Sequence, residues 1–65
     1  MINEIGELSG TVWQKLNEKG PMTVTQLKNL LKTDDFILAA AIGWLAREDK
    51  LVLKKSGKSI KTSLK

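Results

Sequence analysis

Apolar positions near the start of the chain recur on a helical period. Ile5, Leu8, Val12 and Leu16 are spaced by threes and fours, so they share one face of a helix predicted from about Glu4 to Glu18. Ile2 begins that stripe and Trp13 widens it, which predicts a core position for Trp13. Asn3 stands where an N-cap is expected, with Glu4 and Glu7 near the positive first turn. Lys19-Gly20-Pro21 reads as a stop: a basic last turn, a glycine able to go left-handed, then a proline. Gly6 and Gly10 each cost the helix about 1 kcal/mol relative to Ala. With Ser9 they make a strip of small residues, and such a strip predicts close packing by another backbone or a tryptophan.

The pattern then restarts. Thr23-Val-Thr-Gln26 fits a capping box, with Thr23 as N-cap and Gln26 reaching back. Val24, Leu27, Leu30 and Leu31 supply the expected buried side of a short helix ending near Lys32. Either Thr33 or Asp34 can cap a third helix, which runs to about Glu48 and buries Leu38, Ala41, Ile42 and Leu45. After a break at Asp49-Lys50 the period changes to two. Leu51–Lys55 and Ile60–Leu64 flank the Gly-containing loop Ser56-Gly57-Lys58-Ser59, the signature of a β-hairpin. A lone hairpin is marginal in water, so this one is expected to pack through Leu51, Leu53, Ile60 and Leu64.

The order of elements predicts a single domain over residues 1–65: a three-helix body at about 3–49 and a hairpin at about 51–65. The fold class is mainly α with a small β-hairpin, the order of a winged helix-turn-helix. Particular residues point the same way: Glu4-Ile-Gly6, Gly10-Thr-Val-Trp13, Leu16-Asn17, Gly20, Leu27-Lys28, and above all Ala41-Ile-Gly-Trp-Leu-Ala-Arg-Glu48 followed by Lys50. On these the chain resembles the small bacterial and archaeal winged helix-turn-helix proteins of unknown function. The resemblance covers nearly the whole chain. It implies a fold and brings no catalytic or ligand-binding residues with it.

Composition narrows the chemistry. Sixty-five residues with no Cys and no His exclude disulfides and the usual zinc sites, and they remove Ser-His and Cys-His nucleophile pairs. The chain is therefore not expected to be an enzyme or to need a cofactor or metal. No small-molecule ligand is indicated. Hydrophobic residues make up 42% and charged residues 28%, as in an ordinary folded domain. The longest apolar or small run, Phe36 to Ala46, is too short to span a membrane, and no secretory signal is visible. A cytoplasmic protein is the expectation.

The net charge of +4 is unevenly placed. Up to Asp49 five basic residues face seven acidic ones, whereas Lys50–Lys65 holds six lysines and no acid. Lys50, Lys54, Lys55, Lys58 and Lys61 lie on or beside the wing, where cations neutralise DNA phosphates with little sequence preference. The same lysines also guard a hairpin edge against aggregation. The third helix argues against base readout. Its expected outer face carries Ala39, Ala40, Gly43, Ala46 and Arg47, and between Asp34 and Asp49 four acids stand against one base. An Ala/Gly face suits a neighbouring protein, so Ala39, Ala40, Gly43, Trp44 and Arg47 form a candidate interface, for a homodimer or another partner. Two functions follow: weak or nonspecific DNA binding through the wing, and alternatively a protein-interaction or homodimerisation module that binds no nucleic acid. The adjacent carboxylates Asp34-Asp35 and Glu48-Asp49 are explained by capping and solvation, and Ser56-Gly57-Lys58-Ser59 lacks the spacing of a phosphate loop.

Overall fold

The computed structural model describes residues 2–65; Met1, the first residue of the expected domain, lies outside the described residues. Helix α1 (Ile2–Lys19) is followed by a two-residue strand β1 (Met22–Thr23), helices α2 (Val24–Leu31) and α3 (Asp35–Arg47), and strands β2 (Leu51–Ser56) and β3 (Ser59–Leu64). Helix α1 starts earlier than its composition predicts. Asn3 is therefore inside the first turn and is not the cap, and Ile2 is largely exposed instead of joining the buried stripe. The stop at the other end forms as expected: Gly20 takes a φ of +82°, and its N–H donates to Leu16 O at 2.9 Å.

Local chemistry sets the helix-turn-helix. Thr23 N–H donates to Gln26 Oε1 at 2.9 Å, and Gln26 N–H returns the bond to Thr23 Oγ1 at 3.1 Å, closing the capping box. Lys32 ends α2 in the left-handed region at φ 50°, its N–H bonded to Lys28 O. Asp34, not Thr33, caps α3: its Oδ1 accepts from Phe36 N at 2.8 Å and Ile37 N at 3.1 Å.

The three helices bury Val12, Leu16, Leu27, Leu38, Ile42 and Leu45, and Leu51 closes the core from the sheet. Helices α1 and α3 approach closely at Ser9, which is buried; its hydroxyl donates to Ile5 O at 2.7 Å and has Ala41 O of α3 at 3.3 Å. Leu30 turns outward, so α2 buries only Leu27 fully.

The sheet is antiparallel with strand order β1-β3-β2, which makes β3 the central strand and adds a short strand to the expected hairpin. Ser56 pairs with Ser59 around a two-residue turn, Gly57-Lys58. Gly57 has φ +59° and Lys58 does not share the positive φ, the pattern of a II′ turn that glycine favours at its first position. The anchoring of this wing differs from the expectation. Leu51 is buried and Leu64 packs beside it, but Leu53 and Ile60 are 46% and 42% exposed. They share the inward-facing side with Leu51, yet the hairpin extends past the helical body, which leaves that side uncovered near the tip. The buried residue of β3 is Thr62, whose hydroxyl donates to Met22 O on β1 at 2.8 Å.

Candidate nucleic-acid and protein interfaces

The register of β2 and β3 sorts the wing lysines. Lys54 pairs directly with Lys61, so these two cations share the face of the hairpin opposite Leu51 and Thr62. Lys55 pairs with Ile60 on the other face, and Lys58 occupies the turn at the tip. Lys50 lies apart at the base, where its N–H donates to Leu45 O at 3.0 Å and its carbonyl accepts from Lys65 N. All five are exposed, and among the described residues none forms an ion pair. The sixth basic residue of this segment, Lys65, is bound to Asp49.

On α3 the buried side is the expected one: Leu38, Ala41, Ile42 and Leu45. Ala39, Gly43 and Arg47 are exposed or half-buried, as is Ala40, so the outer face is small and carries a single cation. Ala40, Gly43 and Arg47 continue a stripe that begins at Phe36, which is 66% exposed. The i, i+4, i+7, i+11 spacing of these four would have identified Phe36 in the sequence, where it was absorbed into an apolar run. At the start of this helix Asp35 holds Lys28 at 3.0 Å, so one of the few cations of the helical body is already neutralised.

Trp44 stands one turn beyond Ala40 at the edge of the outer face of α3 and lines a surface pocket with Arg47 and Glu48. It also lines a groove between α1 and α3 together with Trp13, Gly6, Ser9 and Gly10. Trp13 is 39% exposed and Trp44 45%, which corrects the expected core placement of Trp13. Its position on α1 lies round the helix from Val12 and Leu16, beside the glycines instead of among the leucines. The close packing expected over the small residues is realised only at Ser9: a Cβ built on Gly6 or Gly10 meets nothing within 4 Å.

Residues 1–64 match the Winged helix-turn-helix domain family (DUF2582). The chain belongs to this family. It is similar to the uncharacterized protein MJ1608 of Methanocaldococcus jannaschii, 37% identical over 68 residues that cover 100% of this chain and 96% of that protein. No solved structure matches it significantly. Membership agrees with the three helices and the antiparallel sheet described above, and it leaves the partner of the wing and of α3 to be argued from the residues. No helix among the described residues is long and apolar enough to cross a membrane, and no group of His, Cys, Asp or Glu among them is placed to hold a metal ion.

Proposed function

We propose that this chain is a non-enzymatic winged helix module that holds the phosphate backbone of DNA through its wing, weakly and without sequence preference. The observation that carries the reading is the direct pairing of Lys54 with Lys61. Like charges opposite one another across strands destabilise a hairpin. Guarding an edge against aggregation requires no such arrangement, whereas two phosphates of a duplex would relieve the repulsion. Lys58 at the tip extends the same cationic surface, and Lys55 and Lys50 flank it at greater distance. The family supports the reading at the level of the fold.

Helix α3 does not read bases. Its outer face is alanine and glycine, its N-terminus carries Asp34 and Asp35, and Phe36 projects beside them. Asp34 opposes approach to phosphates, Asp35 is paired with Lys28, and the outer face offers no cation but Arg47, so the contact is confined to the wing. A nucleic-acid partner implies action in the cytoplasm.

Titration of fluorescently labelled duplexes of unrelated sequence at two salt concentrations tests the proposal. Comparable binding to each duplex at low salt, falling steeply at higher salt, is expected. Absence of binding at low salt, or binding indifferent to salt, would overturn it and leave the protein-interaction role of α3 as the better reading.

A further inference from the structure

We propose that the groove between α1 and α3 is closed by a second copy of this chain. Trp13 and Trp44, both tryptophans of the protein, stand on this one groove and are each less than two-thirds buried. Its volume of about 550 Å³ accommodates more than one aromatic side chain. Clustered, half-exposed tryptophans are characteristic of surfaces that associate.

Charge and shape favour a second copy over another partner, and the glycines of α1 mark the groove as a contact surface. Glu48 and Lys50 line the same groove, and neither forms an ion pair or side-chain hydrogen bond among the described residues. A twofold interface sets residue i against j and j against i. A surface with one acid beside one base is then complementary to itself, with Glu48 facing Lys50 of the second copy twice over. In shape, large aromatic knobs and the open glycine floor at Gly6 and Gly10 occur on the same patch, so the knobs of each copy can seat on the floor of the other. The single chain, moreover, has no use for those glycines. Each costs α1 about 1 kcal/mol relative to Ala, while the space above it is empty. A 65-residue chain without a disulfide also stands to gain stability from such burial.

Sedimentation equilibrium over a wide concentration range, run beside intrinsic fluorescence, tests the proposal. Tryptophan emission reports on this groove, because both tryptophans line it. The expected result is a mass rising from 7.2 kDa toward twice that value, with emission shifting to the blue over the same range. Glu48→Lys and Lys50→Glu should each weaken association by about tenfold, because each disrupts both symmetry-related pairs, and the double swap should restore most of the loss. Both positions are exposed, and circular dichroism of the dilute variants verifies that the helices persist. A mass of 7.2 kDa throughout, a dimer whose emission does not shift, or a double swap as weak as the single variants would overturn the proposal.

Discussion

Thr62 shows how one residue can decide where a strand sits. Its side chain is fully buried at the centre of the sheet, a place where its alternating neighbours Ile60 and Leu64 suggest an apolar group. The hydroxyl satisfies Met22 O and thereby fastens β1 to β3. Thr62→Val keeps the shape and removes the donor, leaving a partly buried carbonyl without its partner. The expected loss is about 1–2 kcal/mol in urea denaturation; an unchanged midpoint would show that water replaces the bond. Gly10 makes the opposite case. With open space where its Cβ would be, Gly10→Ala should stabilise the dilute monomer by about 1 kcal/mol, seen as a higher Tm. At this scale the sequence was legible wherever a side chain bonds its own neighbourhood. Thr23 with Gln26, and Gly20 at its positive φ, are stated by a few consecutive letters. Trp13 was not, because a tryptophan at the margin of an apolar stripe has the same spacing whether it faces the core or a groove.

At the scale of elements, the three helices and the hairpin follow from periodicity, and their ends follow from caps. Helix α3 depends on its cap, since Asp34 satisfies two N–H groups that the short connection from α2 leaves open. Asp34→Ala should cost about 1–2 kcal/mol in thermal or chemical unfolding, while Asp34→Asn retains most of the stability. Equal losses in the two variants would contradict the capping role. Strand β1 was not legible, because two residues carry no period of their own; Met22 and Thr23 become a strand only by pairing with the distant Thr62 and Lys61. The wing was legible as a hairpin but not in its packing. Alternation places Leu51, Leu53, Ile60 and Leu64 on one side, and only the length of the helical body decides that Leu53 and Ile60 project beyond it.

For the whole molecule, the division of charge seen along the chain becomes a division in space. A helical body with an alanine-faced α3 flanked by acids carries a hairpin whose lysines, among the described residues, pair with no acid apart from Lys65 at its foot. The candidate site was legible as a set of lysines. That Lys54 and Lys61 are opposed while Lys55 faces away and Lys50 stands at the base depends on strand register, which the two-residue turn at Gly57-Lys58 fixes. The measurement that tests the wing most directly is the salt dependence of duplex binding by the wild type and by the Lys54→Gln, Lys61→Gln double variant. The double variant should bind more weakly at low salt, and the slope of log K against log salt should fall by about two, one for each phosphate deprived of its lysine. Its fold should be at least as stable as the wild type, since the opposed charges are gone. A double variant that binds with the wild-type affinity and slope would contradict the wing as the DNA-binding surface.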